Sequence, residues 1–297
     1  MKIAVVGYGN LGKSAVKIVK NTPDTELFGV FSRRKLPDTL PFDDILKHKN
    51  DIDVLILCGG SATDLPRMTP YLAEHFNVVD SFDTHADIAK HYENVGKSAE
   101  KGGKTAFISC GWDPGIFSLA RICFNAILPD GRTKTYWGKG VSQGHSDAIR
   151  QIDGVIDARQ YTIPVYDYKG ENPHKMHRRE CFVVVENEAD KDEIEGKIKA
   201  MPNYFAGYDT SVHFVGLDEL KNNHSGFTHG GRVVSDNGAS TMELRLKMAS
   251  NPDFTAGILV ACARTAYRMN REDKIGAFTM ADVPMRYLAR GNIFEMM

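Results

Sequence analysis

The sequence predicts an α/β protein of two domains: a doubly wound parallel sheet first, and an α+β domain after it. Three observations predict this. The chain opens on an apolar run, KIAVV at 2–6, that leads through a glycine-rich loop into a stretch with helical spacing. Short apolar runs then alternate with helical stretches to about residue 117, as in a parallel sheet covered by helices on its faces. Beyond 117 the strand-like runs are separated by turns, which suits a mostly antiparallel sheet. A chain of 297 residues is long for one core and comfortable for two.

The elements follow in order. KIAVV is continuous and β-rich, as a strand buried on both faces must be. In LGKSAVKIVKN, Leu11, Ala15, Ile18 and Val19 share one helical face. Further strands are read at ELFGVFS (26–32), DVLILC (53–58), FNVVDS (76–81) and KTAFISC (104–110), with a helix over 85–101. In the second half, TKTYWGKG, ARQYTIPVYDYK, RRECFVVVEN and TSVHFVGL read as strands, with one helix near 190–200. NPDFTAGILVACARTAYRMN is a helix with Asn251 as its cap and Pro252 at its first position.

Composition narrows the function. A net charge of -1 gives no electrostatic case for nucleic acid or an anionic membrane. No apolar run reaches the length of a membrane span, and the opening residues lack the pattern of a secretory signal. Five scattered cysteines without a C-x-x-C suit reduced thiols in a cytoplasm.

Gly7-x-Gly9-x-x-Gly12 follows a strand and opens a helix, the context that makes this a Rossmann-type dinucleotide site. The first glycine permits the turn, the second lets backbone approach a pyrophosphate, and the third lets helix and strand pack closely. The helix start adds free N–H groups and a positive dipole end. At the end of the second strand an NAD site carries an acid; here stand Ser32, Arg33 and Arg34. Arginine forks suit a 2′-phosphate, so the cofactor expected is NADP.

Ligands in an open α/β sheet bind beyond the carboxyl ends of its strands. LCGGSATDLP (57–66) offers small residues there, with Ser61 as a possible helix cap. VVDSFDTHAD (78–87) brings Asp80, Asp83 and His85, and SCGWDPG (109–115) brings Trp112 and Asp113, the latter also suited to an Asx turn. Asp83 and Asp113 suit holding a substrate ammonium and positioning a water that attacks an imine. In the second domain YWGKGVSQGHSDAIRQIDGV (136–155) reads as a polar, glycine-hinged loop with Trp137, Gln143, Gly144 and His145. Thr162, Arg179 and His229 are candidates for a carboxylate clamp. The alternatives are a solvated strand edge for Arg178 and Arg179 and a turn for His229. HKMH (174–177) reads as a solvated loop, not a metal site.

Taken together, GYGNLGKS, FSRRK, LCGGSATDLP, SCGWDPGIFS, WGKGVSQGHSDAIRQIDGV, QYTIP, RRECFVV, MPNYFAGY, HGG and NPDFTA resemble the meso-diaminopimelate dehydrogenase family over almost the whole chain. The resemblance implies reversible, NADP-dependent oxidative deamination of meso-2,6-diaminopimelate at its D-centre, giving tetrahydrodipicolinate and ammonia on the route to lysine. It implies cofactor contacts at Gly7, Tyr8, Gly9, Asn10, Leu11 and Gly12, at Ser32, Arg33 and Arg34, at Ser61, Ala62, Thr63 and Asp64, and at Asp83, Thr84 and His85. The Asp113–Pro114–Gly115 turn would lie beside the nicotinamide. Substrate contacts would fall on Asp83, Trp112, Asp113, Trp137, Gln143, Gly144, Thr162, Arg179, His229 and Asn251, with Asp83 and Asp113 catalytic. It further implies a homodimer formed through the second domain and a C-terminal helix that returns to the first. The domains expected are therefore 1–117 with 252–297, and 118–251. No lysine stands in the 109–115 segment, which sets the chain apart from two-domain oxidoreductases that use a lysine beside the nicotinamide.

Overall fold

The computed structural model describes residues 1–168, 170, 172–202, 204–224 and 229–297, and of Gln143 only the backbone. The chain forms two compact units, Met1–Cys123 with Pro252–Met297, and Phe124–Asn251. The first division falls inside a helix, several residues past the expected join at 117.

The first unit contains β1 (Lys2–Val6), α1 (Asn10–Asn21), β2 (Glu26–Ser32), β3 (Leu40–Pro41), β4 (Val54–Leu57), α2 (Leu65–Ala73), β5 (Asn77–Asp80), α3 (Ile88–Gly102), β6 (Thr105–Phe107) and the start of α4 (Ile116–Ile127). Its seven-stranded sheet has the order β3-β2-β1-β4-β5-β6-β14, where β14 is Gly276–Phe278, and its paired strands run parallel. The order reverses direction between β1 and β4, so a crevice opens beyond their carboxyl ends. Alternation along β1 feeds two cores. Ile3 and Val5 pack with Ala15, Val16 and Val19 of α1 and with α8 (Asn251–Asn270); Ala4 and Val6 pack with Leu65 and Leu72 of α2 and Val95 and Ala99 of α3. Burial on both faces explains why these strands read as unbroken apolar runs. Arg264 of α8 is buried and forks onto Asp24, at 2.5 and 2.9 Å; its hydrogen bonds hold the Asp24 carboxyl below its ordinary range against some burial.

Several expectations are corrected. The run at 104–110 is strand only over Thr105–Phe107, because Ser109 turns left-handed at φ +56° and leaves the sheet. β3 and β14 extend the sheet by two strands not anticipated. α8 begins at Asn251 itself, so Asn251 is helical and Pro252 is the second residue.

The second unit contains β7 (Arg132–Trp137), β8 (Gly140–Val141), α5 (Gln143–Arg150), β9 (Val155–Pro164), β10 (His177–Val185), α6 (Lys191–Ala200), β11 (Asp209–Phe214), α7 (Leu217–Asn223), β12 (His229–Asp236) and β13 (Thr241–Met248). One sheet has the order β11-β10-β9-β8, and a second β13-β12-β7. Pairing is antiparallel except between β10 and β11. Ile149 of α5 and Ile194 and Ile198 of α6 cover Ala158, Cys181 and Val183 of the first sheet. Asp190 caps α6, accepting from the amides of Asp192 and Glu193.

Two more expectations change here, at 143–150 and His177, and the alternatives given for Arg179 and His229 fall away. Residues 143–150 form a helix rather than a loop, because Ile149 on its inner side has a core to enter. β10 lies between β9 and β11, so Arg179 is buried and not on an edge. His177, expected in a solvated loop, is buried as the first residue of β10. His229 opens β12 instead of a turn. Among the described residues no helix is long and apolar enough to cross a membrane.

Candidate active site

In the first unit, the ends of β1, β2 and β4 enclose a cavity of about 340 Å³ lined by Gly7, Tyr8, Gly9, Ser32, Arg33, Arg34, Cys58 and Asp64, among others. The three loop glycines have different causes. Gly7 has φ +97°, and a Cβ on Gly12 would lie 2.0 Å from the Gly7 carbonyl oxygen, so both are required by the chain itself. A Cβ on Gly9 would meet nothing within 4 Å. No packing demands that glycine; its bare backbone is suited to a ligand's phosphates at the start of α1.

Ser32 is buried at the end of β2 and its Oγ accepts from the Arg34 amide at 3.1 Å. The Arg33 guanidinium is exposed and donates to Asp64 Oδ1 at 2.8 Å. Asp64 Oδ2 accepts from the Gly60 amide at 2.9 Å. Burial raises the Asp64 carboxyl, but the Gly60 amide and Arg33 outweigh it and the net shift is downward. An anion therefore already holds one arginine at this cavity before any phosphate enters. Asp64, not Ser61, is the residue before α2; Ser61 Oγ instead accepts from the Asp83 amide at 2.9 Å. Asn10 and Leu11 lie in the first turn of α1. Ala62 and Thr84 line a neighbouring cavity of about 190 Å³. Asp83 and His85 are exposed.

The 109–115 turn is tight because a Cβ on Gly115, at φ +131°, would collide with the Gly111 carbonyl. It sets Trp112 edge-on to Phe117 at 5.2 Å. The Asp113 side chain is buried and accepts a fork from Arg121, at 2.5 and 3.3 Å. Arg121 also donates to Ser118 Oγ, which accepts from the Gly115 amide. No sequence signal marks Arg121: it lies in the second turn of α4, and only the fold returns it to the 109–115 turn.

In the second unit, Thr162 of β9 pairs directly with Arg179 of β10. Arg179 donates to Thr162 Oγ1 and lies 4.2 Å from the Tyr208 ring. Its Nε is buried without a hydrogen-bond partner, and no ion pair joins Arg179 to a carboxylate among the described residues. Two histidines flank it. Burial and then the Arg179 charge push both His145 and His177 down to about 4. His177 Nε2 accepts the Trp137 amide at 2.9 Å, and His145 Nδ1 lies 2.6 Å from Ser142 Oγ. Burial also lowers His229. The site is thus a buried cation among neutral rings, an environment that favours a carboxylate. Gly144 sits in the first turn of α5 and Asn251 opens α8; the side chain of Gln143 is outside the described atoms. The signals for His145, His177 and Tyr208 were present as residue types, but only β-sheet register assembles them. Among the described residues no group of three metal-ligating side chains forms.

Residues 111–250 match the family model of the diaminopimelic acid dehydrogenase C-terminal domain. Over its full length the chain is 50% identical to the meso-diaminopimelate D-dehydrogenase of Acetivibrio thermocellus, with 96% of that protein covered. The solved structure of the Corynebacterium glutamicum DAP dehydrogenase in complex with DAP superposes with a TM-score of 0.93 at 41% identity, over 100% of this chain and 98% of that one. An engineered D-amino acid dehydrogenase bound to NADP+ superposes with a TM-score of 0.87 at 39% identity, over 100% and 98%.

Two outcomes are expected. Gly9→Ala should keep the melting temperature within a few degrees but weaken dinucleotide binding about tenfold or more by titration, whereas Gly12→Ala should destabilise the fold by about 2 kcal/mol or more in urea. Because His145 and His177 are depressed to about 4 from an unfolded value near 6.5, the unfolded chain binds more protons between those values. Stability should therefore fall as pH drops from about 6.5 to about 4. His177→Gln, which keeps an acceptor for the Trp137 amide and cannot be protonated, should flatten that slope in denaturation curves taken across the window.

Proposed function

The chain belongs to the meso-diaminopimelate D-dehydrogenase family, and from that membership we propose that it oxidises meso-2,6-diaminopimelate at its D-centre with NADP, reversibly, to L-tetrahydrodipicolinate and ammonia. The observation that carries the reading in this structure is Arg179, a buried guanidinium with no carboxylate partner among the described residues. A substrate carboxylate supplies the missing charge. Thr162, Gln143, Gly144, His229, Asn251 and Trp137 are assigned with it to the end of the substrate that does not react.

Arg33 and Arg34 are assigned to the 2′-phosphate, and Gly9 with the start of α1 to the pyrophosphate. NADP, when bound, supplies the hydride acceptor. Asp83, exposed on its loop, is assigned to the reacting ammonium, whose proton it accepts as the amine becomes an imine. Asp113, its carboxylate aimed by the Arg121 fork, is assigned to orient the water that attacks the imine. Trp112 beside it limits access of other water. No lysine stands in that turn, so the water is oriented by a carboxylate rather than activated by an amine.

We assign the protein to a reducing, cytoplasmic setting on its five free cysteines. We further propose a homodimer through the second unit. Edge strand β13 presents Met242, Leu244 and Leu246, half-buried and alternating with exposed Thr241, Glu243, Arg245 and Lys247, a row that suits a second copy.

The test is nicotinamide reduction by the purified protein. Fast reduction is expected with NADP and the meso isomer, and little with the L,L isomer or with NAD. Joint replacement of Arg33 and Arg34 by Ala should cost NADP about 100-fold in kcat/KM and leave NAD nearly unchanged. Arg179→Met should raise the substrate KM about 100-fold at unchanged NADP affinity. No reduction with any D-amino acid, despite NADP binding, would sink the reading.

A further inference from the structure

Asp80, the last residue of β5, is fully buried and takes no part in the roles assigned above, yet it is the most heavily bonded carboxylate of the first unit's strand ends. Its Oδ2 accepts from Thr69 Oγ1 at 2.8 Å and from His91 Nε2 at 2.7 Å. Its Oδ1 accepts from the amides of Phe82 and Ser109, at 3.0 and 2.9 Å. Its own carbonyl accepts the Cys110 amide at 2.9 Å. One carboxylate thus ties α2 and α3 to the starts of two loops: 81–85, which carries Asp83, and 109–115, which carries Trp112 and Asp113. His91 is itself buried and stacked on Phe82, with ring centroids 4.2 Å apart.

The second loop needs a tie. Ser109 holds a left-handed backbone at φ +56°, unfavourable for a residue with a side chain, and its hydroxyl is buried without a hydrogen-bond partner. The hydrogen bond that its amide donates to Asp80 Oδ1 ties that conformation down. A buried carboxylate is costly unless its lone pairs are filled, and an apolar residue would pack this strand end as well. Retaining Asp80 makes sense where the positions of the loops matter.

We propose that Asp80 and His91 form a positioning pair that fixes the Asp83 loop and the Trp112–Asp113 turn in register for the reaction. His91 acts on Asp80, and Asp80 acts on the loops; neither touches substrate. The inference rests on the activity proposed above, and wild-type turnover measured alongside tests that activity separately.

His91→Phe keeps the ring against Phe82 but removes the donor to Asp80. His91→Gln restores an N–H near the Nε2 position. Val95→Ala weakens the packing of the same helix without touching the pair. In His91→Phe, kcat should fall about 10- to 100-fold while the NADP Kd stays within about twofold. Amide exchange should quicken in segments 81–85 and 108–115 and stay unchanged in the glycine loop. His91→Gln should recover most of the lost kcat and the slow exchange. Val95→Ala should lower the melting temperature and leave kcat unchanged. The pair is overturned if His91→Phe keeps its kcat and exchange, if its kcat falls only as Val95→Ala falls, or if His91→Gln recovers neither.

Discussion

A single close approach sets the first unit in order: the α-carbon of Gly12 rests against the carbonyl of Gly7, where a Cβ would lie 2.0 Å from the oxygen. This contact lets α1 start directly at the end of β1. α1 then lies close enough for Ala15 and Val19 to meet Ile3 and Val5. Since β1 is central in the sheet, with β2 on one side and β4 on the other, the angle fixed there decides where the strand-end crevice opens. The remaining glycine, Gly9, follows from that placement. It stands at the rim of the crevice with no protein atom in the way of a side chain, so packing within the fold does not require it.

Charged side chains are handled in two ways. In the first, charges are closed off within the fold. Arg264 meets Asp24, Arg121 meets Asp113, and Asp80 is filled by five donors to its side chain and carbonyl. Burying an ion costs several kcal/mol unless such partners exist. In the second, Arg179 is buried with a hydroxyl, an aromatic face and two neutral histidines around it, and its Nε is left over. Those neighbours offset part of the desolvation without cancelling the charge. A fold gains no stability from that arrangement, which is why it points to an anion from outside.

Much of this was legible in the sequence, for physical reasons that differ by element. Strands buried on both faces leave unbroken apolar runs, so β1, β2, β4 and β5 could be read directly. β3 and β14, two and three residues long, are shorter than any periodicity can register. α5 was hidden because Gly144 and its polar neighbours imitate a loop, and only Ile149 meeting a core makes it helical. The glycine loop and the arginines after β2 declared themselves because each residue acts locally. Arg121, His177 and Tyr208 act on partners brought to them by a helix or by strand pairing, and no spacing rule connects them. Ser61 reads as a helix cap on composition, whereas the chain uses it to hold the Asp83 amide.

The two candidate sites also depend on sequence with different tolerance. The strand-end cavity takes its shape from close backbone approaches, with Ser32, Arg33, Arg34 and Asp64 in its wall, so much of its specification is steric and lies in a few glycines. The carboxylate site is built from side chains on a strand pair, so its specification lies in register. Thr162 and Arg179 face each other only because β9 and β10 pair as they do; a slip of β10 by one residue would turn Arg179 to the face opposite Thr162. Pairing on both flanks pins β10, with β11 matching Arg179 to Thr210 and β9 matching it to Thr162. The register shift in this ladder falls at Val184/Val185, several residues beyond the site. The irregularity of the ladder thus lies away from the guanidinium, and the parallel partner β11 helps hold β10 in the register that sets Arg179 opposite Thr162.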